Sequence, residues 1–171
     1  MYTKSSDYIN ELVFDHIETY SYRRGVEYEK LEAEANQASN LDLLYNRGIV
    51  DKNGQFFPYS IKTNTFQHDH PVIGRIKQLL QLEIVQHLQM LCAPEYRDAI
   101  IFYDHNHRIV SCLNVCLSCF HMKTENLQLK ADYKTYGYLK KLFLEIGHNV
   151  EDPEFCIIDD IEKQLQKIKK R

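Results

Sequence analysis

The cysteines Cys116 and Cys119 stand in a Cys-x-x-Cys pattern, the sharpest chemical motif of the chain. Two thiolates at this spacing can share a Zn²⁺ ion, and a structural zinc site takes four protein ligands. Cys92 and His121 are candidates for the remaining positions, with His148 as a substitute. The pattern therefore predicts a metal site formed by Cys92, Cys116, Cys119 and His121.

The same cysteines fit two other interpretations. Cys112, Cys116 and Cys119 lie in one largely apolar stretch, where cysteine acts as a small core residue, and this interpretation is favoured. A redox pair instead works at the start of a helix, which lowers the pKa of its first thiol. Residues 120–124 do not open a helix, so the redox interpretation is weaker. We expect no cofactor, with zinc as the alternative.

Histidines provide two further metal signals, both weak. Asp104-His105, followed by the cysteine pair and His121, is similar to pieces of an HNH-type endonuclease, in which a first-strand His is the general base. Only ten residues separate His105 from Cys116, however, and they read as one strand with a polar turn before it. His68 and His70 can face the same way in an extended segment, but exposed loop histidines or a helix cap are favoured.

Composition excludes several classes of protein. The 171 residues contain 21 Lys and Arg against 24 Asp and Glu, and the net charge of −3 argues against a nucleic-acid partner. No apolar run approaches the roughly 18 residues that cross a bilayer, and no apolar segment follows the first residues, so neither a membrane span nor a leader is expected. Five cysteines do not form a secreted disulfide framework. Reduced thiols and a cytoplasmic location are therefore expected.

Hydrophobic spacing predicts the elements that position these residues. Apolar residues at helical spacing predict helices over 6–20, 26–45, 71–91 and 133–146, and a last helix from about 153. Two apolar strands over 97–103 and 108–119 flank a polar turn, and Asn53-Gly54 predicts a hairpin turn. The polar stretch 59–70 is predicted to be a mobile loop.

The hairpin residues also carry a family resemblance. Residues 92–104 read CAPEYRDAIIFYD, and residues 113–119 read LNVCLSC. Over about 88–148 the chain resembles uncharacterised small bacterial proteins with a Cys, a Pro, an Arg-x-Ala-Ile-x-Phe-Tyr-Asp strand and a Cys-x-x-Cys strand, followed by a Leu- and Phe-rich helix. Some of these proteins have a further Cys before that helix, whereas 129–132 has none here, which counts against four-ligand zinc. The resemblance implies the hairpin and no activity.

Together these patterns predict an α+β fold with a small antiparallel sheet around a central hairpin (about 97–119), packed by four to five helices. The chain 1–171 is expected to form one domain, with an N-terminal helical extension over 1–48 before a core over 49–171.

The predicted function is that of a non-enzymatic binding protein that acts through contacts with a protein partner, in an immunity or defence role. The alternative is a zinc- or thiol-dependent protein, and an HNH-like nuclease is less favoured. Tyrosine is favoured at interfaces, and these are the aromatics expected at an exposed contact surface: Tyr20, Tyr22, Tyr28, Tyr45 and Tyr59.

Overall fold

The computed structural model of the chain describes residues 2–37, 47–88, 92–156, 158–160 and 162–163. Seven strands form one sheet, and their bounds are β1 Tyr2–Lys4, β2 His16–Ser21, β3 Ile61–Gln67, β4 Asp98–Tyr103, β5 Ile109–Cys116, β6 His121–Lys123 and β7 Gln128–Lys130. The named helices are α1 Ser5–Glu11, α2 Val26–Gln37, α3 Pro71–Leu80 and α4 Tyr133–Glu145. Residues 158–160 and 162–163 are also helical.

The sheet is larger than the sequence predicted, and it is mixed. Its strand order is β1-β7-β6-β5-β4-β2-β3. β1 runs parallel to β7, and every other neighbouring pair is antiparallel. The predicted small antiparallel sheet packed by four to five helices is therefore wrong, although the protein does combine helices with a sheet. The difference comes from β2 and β3, which the sequence pattern assigned to a helix and a loop, and from the three-residue strands β1, β6 and β7, which it did not identify.

The predicted helix over 6–20 is wrong beyond Glu11, where α1 ends. Residues 16–21 form β2, which pairs with β3 on one side and β4 on the other. Apolar residues at positions 9, 12, 13 and 17 fit helical spacing, but the strand segment HIETYS also has the β-branched and aromatic residues that strands favour. Pairing on both sides buries five of its six residues, so tertiary contacts decide the structure.

The predicted loop 59–70 is also wrong, and the predicted long helix 71–91 is correct only as far as Leu80. Residues 61–67 form β3, a strand with mostly polar side chains because it lies at the end of the sheet. The helix α3 ends at Leu80, and 82–88 continue without helix; residues 89–91 lie outside the described residues. The strands β4 and β5, the turn at Asn53-Gly54 and the helix α4 confirm their predictions. The predicted helices over 26–45 and from 153 lie partly outside the described residues.

Two cores form on opposite faces of the sheet. One core joins the sheet to α1, α3 and α4, and its fully buried members include Ile17, Ile100 and Leu113. The other joins the sheet to α2 and the hairpin over 49–57, and it contains Ile101, Cys116 and Cys119. Alternate residues of β4 point into different cores, so the strand is buried on both faces.

The aromatic residues expected to be exposed are mostly buried. Tyr20, Tyr22 and Tyr28 belong to the second core with exposures of 8%, 1% and 4%, so that expectation is wrong for them. Tyr59 is 52% exposed, as predicted, and Tyr45 lies outside the described residues. Among the helices that the structure describes, none has the length and apolar character needed to cross a membrane.

Candidate functional site

The structure joins two of the four predicted metal ligands by a disulfide. Cys92 lies before β4, Cys119 lies in the turn between β5 and β6, and their Cα atoms are 6.4 Å apart. Cys92 is exposed, whereas Cys119 is 9% exposed and packs in the second core. Disulfide sulfurs are not thiolates, so this pair cannot ligate zinc in the oxidised state.

Cys116 and His121 flank Cys119 in the sequence and lie on neighbouring strands. Cys116 ends β5, is 2% exposed, and has its Sγ 3.7 Å from the Ser118 Oγ. His121 begins β6 and is the cross-strand partner of Cys116. Over the described ranges no group of three or more His, Cys, Asp or Glu side chains is placed to hold a metal ion. The zinc site stays a prediction, and it requires reduced Cys92 and Cys119.

The other predicted histidines have local roles. The His70 Nδ1 accepts a hydrogen bond from the Val72 N–H at 3.3 Å, which makes His70 the N-cap of α3. His105 is exposed in the turn after β4, where the Asp104 Oδ1 accepts from the N–H groups of Asn106 and Arg108. The predicted polar turn is confirmed, whereas a nuclease role for His105 stays a prediction.

His148 lies instead in a buried polar chain that the sequence did not reveal. Its Nε2 donates to the Asp98 Oδ1 at 2.9 Å, and its Nδ1 lies 2.7 Å from the Thr63 Oγ1. Arg24 holds the same carboxylate through both oxygens, with N–O distances of 3.1 and 3.2 Å. Asp98 and His148 are 2% and 3% exposed. We call these four residues, Arg24, Asp98, His148 and Thr63, the buried polar chain.

Backbone features bring the buried polar chain together. Asp98 begins β4 and pairs directly with Ser21 at the end of β2. The register of β2 and β3 shifts between Thr19 and Tyr20, and this irregularity leaves Thr63 unpaired and close to His148. The chain leaves α4 through Gly147, whose φ of +71° is a conformation that glycine adopts without strain. The His148 N–H then donates to the Phe143 carbonyl at 2.8 Å.

The order hydroxyl, imidazole, carboxylate is that of a nucleophilic triad. The hydroxyl here is already engaged, however, because Thr63 Oγ1 also lies 2.7 Å from the Thr19 Oγ1 and donates to the Thr19 carbonyl at 3.0 Å. A hydroxyl has one proton, and the Thr19 carbonyl competes for it with the His148 Nδ1, which is an acceptor when the Nε2 carries the ring proton. The arrangement therefore stabilises the fold by connecting β2, β3 and β4 to the end of α4.

A cavity of about 110 Å³ lies beside the buried polar chain. Arg24 and Asp98 line one part of it, Leu117 and Ser118 come from the turn before Cys119, and Tyr136 comes from α4. Arg97 also lines the cavity and forms ion pairs with Glu95, at 2.6 Å, and with Glu151. The cavity thus lies between the buried polar chain and the turn that carries the disulfide.

A second polar cluster surrounds Glu18 on the opposite face of the sheet. Its carboxylate accepts from the Tyr20 and Tyr103 hydroxyls at 2.8 and 2.9 Å and pairs with Lys62 at 2.9 Å. Burial acts to raise the pKa of Glu18, but these three partners outweigh it and hold that pKa below its ordinary value of 4.5. Burial, together with the Glu18 carboxylate, raises the pKa of both tyrosines.

The Glu18→Gln variant tests this cluster. We expect a loss of about 1 kcal/mol at neutral pH, because charge-assisted hydrogen bonds are lost from a partly solvated group. A lowered folded-state pKa means that the charge stabilises the fold fully above pH 4.5 and that this stabilisation is lost as pH falls through the lower value. Urea unfolding should therefore show a difference from wild type near pH 7 that shrinks below pH 4.5. A difference that stays constant with pH would contradict the assignment.

Comparison with known proteins gives no relative from which a role for these residues could be inferred. No family model, no curated protein and no solved structure matches the chain. The candidate functions below therefore depend on the residues and geometry just described.

Proposed function

We propose that this chain is a non-enzymatic binding protein, and that an extended segment of a partner protein pairs with the outer edge of β3. The observation that carries the proposal is the position of β3 at the end of the sheet, with β2 as its only strand neighbour among the described residues. Edge strands present unpaired N–H and C=O groups, and proteins use them to recognise extended peptides.

The β3 edge has few of the features that normally prevent such pairing. The strand is seven residues long, contains no proline, and has the sequence IKTNTFQ. Its one charged residue, Lys62, forms an ion pair with Glu18, so its charge is balanced within the protein. Charge, proline and short length are the usual ways of blocking an edge. β1, at the opposite end of the sheet, is only three residues long.

Exposed apolar side chains precede and begin this strand. Phe56, Tyr59 and Ile61 are 37%, 52% and 60% exposed. Ile61 is the first residue of β3, and Phe56 packs against Tyr20 with ring centroids 5.1 Å apart. Main-chain pairing supplies affinity in this binding mode, and side-chain contacts of this kind supply specificity. The partner segment is expected to be extended and largely uncharged, with an apolar residue opposite Tyr59 and Ile61. An immunity or defence role is part of this proposal.

Site-specific photo-crosslinking tests the proposal. A photoreactive residue at Thr65, an exposed position of β3, should give a discrete crosslinked product with a partner chain in host extract, whereas the same residue at Asn106 should not. The Ile61→Lys substitution should reduce the yield several-fold, because it places an uncompensated charge beside the partner strand. Equal crosslinking from both positions, or crosslinking to a second copy of this chain alone, would contradict the proposal.

A thiol-dependent protein is the second candidate, and the Cys92–Cys119 disulfide favours it over a zinc protein. Alkylation of the denatured, unreduced protein should modify three cysteines, namely Cys112, Cys116 and Cys156, and all five after reduction. Elemental analysis of the same sample should find no stoichiometric zinc. Five reactive thiols together with one zinc ion per chain would instead support the site formed by Cys92, Cys116, Cys119 and His121.

A further inference from the structure

We propose that His16 and His107 bind a divalent transition-metal ion, and that Zn²⁺ is the ion that fits their geometry. The site joins the first residue of β2 to the turn after β4, with water in the remaining coordination positions. The distance between two ring nitrogens, the carboxylate behind one of them and the way in which both rings are held carry the proposal. It does not use the outer edge of β3 and does not depend on the proposed function.

The distance between the two rings is that of two ligands on one ion. The His16 Nε2 lies 3.4 Å from the His107 Nδ1. An N–H donor usually lies about 2.7–3.2 Å from an acceptor oxygen, so the direct contact is long for a hydrogen bond. Two nitrogens bound to Zn²⁺ at about 2.05 Å in tetrahedral geometry are about 3.3 Å apart. The spacing therefore accommodates the ion with little movement of either ring.

A carboxylate orients His16 for this role. The Asp15 Oδ2 lies 3.1 Å from the His16 Nδ1. A carboxylate can only accept, so the Nδ1 carries the ring proton, and the Nε2 of the neutral ring presents its lone pair towards His107. Histidines that bind metals almost always donate their other ring N–H to a carboxylate, a backbone carbonyl or water. Asp15 thus holds His16 in the tautomer that binds an ion.

Neighbouring groups hold both histidines in place. The His16 ring stacks on the Tyr103 ring, with centroids 5.0 Å apart and an angle of 5° between the planes. In the turn, the Asp104 N–H donates to the Arg108 carbonyl at 2.9 Å, and the His107 N–H donates to the Asp104 carbonyl at 3.0 Å. His16 is 4% exposed, whereas His107 is exposed and forms the solvent side of the pair. An ion therefore reaches the two nitrogens from the side of the turn.

The two imidazoles define the kind of ion and its affinity. They suit Zn²⁺, Cu²⁺ and Ni²⁺, whereas Mg²⁺ and Ca²⁺ take oxygen ligands. In the described part of the chain, no group of three or more His, Cys, Asp or Glu is arranged to hold a metal ion. With half the protein ligands of a structural zinc site, the pair is expected to bind Zn²⁺ in the micromolar range. Protein purified without zinc therefore contains none at this site, and the ion has to be added.

Calorimetric titration of the metal-free protein with ZnCl₂, with the Cys92–Cys119 disulfide intact, tests the site. We expect saturable binding of Zn²⁺ and none of Mg²⁺. In ¹⁵N spectra of the imidazoles, the His16 Nε2 and His107 Nδ1 signals should shift on saturation, whereas those of His105 should not. No saturable binding, as for two rings joined only by a hydrogen bond, would overturn the proposal, and so would shifts confined to other histidines.

The His107→Asn variant tests the ligand. His107 has a φ of +58°, which Asn adopts more readily than most residues, so the turn should be kept while zinc affinity falls at least tenfold. The matched control is His105→Asn, an exposed position of the same turn, which should bind zinc as wild type does. Asp15→Asn should weaken binding about tenfold, because losing the partner behind a ligating histidine costs roughly 10–100-fold. Unchanged zinc affinity in His107→Asn would overturn the proposal.

Discussion

Replacement of Asp98 by Ala should destabilise the protein by about 3–5 kcal/mol, the cost typical of removing one partner from a buried ion pair. Asp98 is 2% exposed, and its carboxylate is the shared partner of Arg24 and His148. Without it, the Arg24 guanidinium loses its carboxylate partner and keeps only the neutral acceptors Ser21 Oγ and the Arg97 carbonyl, and the His148 Nε2–H loses its acceptor. No comparable group replaces it in the described part of the buried polar chain.

Urea unfolding measures this effect, and a surface ion pair provides the control. Asp159 pairs with Lys141 at 2.8 Å, but both side chains are more than 40% exposed. The Asp159→Ala variant should therefore lose less than about 1 kcal/mol. The Thr63→Val variant should fall between the two, since it leaves His148 Nδ1 without its neighbour. Equal losses for Asp98→Ala and Asp159→Ala would contradict the account of the buried polar chain.

Loss of the Cys92–Cys119 disulfide is the second large effect. The bond joins residues 27 positions apart, and closing a loop of this length restricts the unfolded chain. The chain-entropy relation gives about 3.5 kcal/mol for the resulting stabilisation. The closed loop contains the whole of β4 and β5, which are neighbouring strands in the interior of the sheet. The Cys92→Ser variant and the reduced wild-type protein should thus be destabilised by similar amounts.

Chemical denaturation with and without reductant measures this difference. The Cys156→Ser variant is the matched control, because Cys156 is a free, half-buried cysteine outside the disulfide. It should unfold within about 1 kcal/mol of wild type, because Cys156 is only partly buried at the margin of the first core and its replacement by Ser changes little volume and no crosslink. A wild-type protein that unfolds at the same urea concentration with and without reductant would show that the disulfide does not stabilise the fold.

The part of the fold that sequence predicted correctly depends on local signals. In β4 and β5, two apolar runs flank a polar turn, and in α4 the apolar residues recur every three or four positions before Gly147. Such patterns span fewer than about 20 residues, so each can be recognised without knowing which distant elements it will contact. The bounds of these three elements therefore agree closely with expectation.

The missed elements depend on partners far along the chain. β2 lies between β3 and β4, so its partners in β3 are at least 40 residues away and those in β4 more than 75. β3 is polar because its outer edge is exposed, and its composition alone is typical of a loop. The three-residue strands β1, β6 and β7 are too short for a periodic pattern to identify them.

Less of the candidate site than of the fold could be predicted from the sequence. The Cys-x-x-Cys pattern identified Cys119 and directed attention to Cys92, but spacing could not distinguish a disulfide from a shared metal ion. Arg24, Thr63, Asp98 and His148 are spread over 125 positions, and no motif connects them. Each is an ordinary polar residue until the β2–β3 irregularity and the turn after α4 bring them together.

Amide hydrogen exchange along β3 tests the central proposal most directly. In the free protein, the amides of Ile61–Gln67 that do not bond to β2 should exchange fast, because they lie at the edge of the sheet. In the complex with the partner captured through Thr65, these amides should become protected, while those of the turn at 104–107 should not change. Protection confined to other parts of the protein, with β3 exchanging as in the free state, would contradict the account.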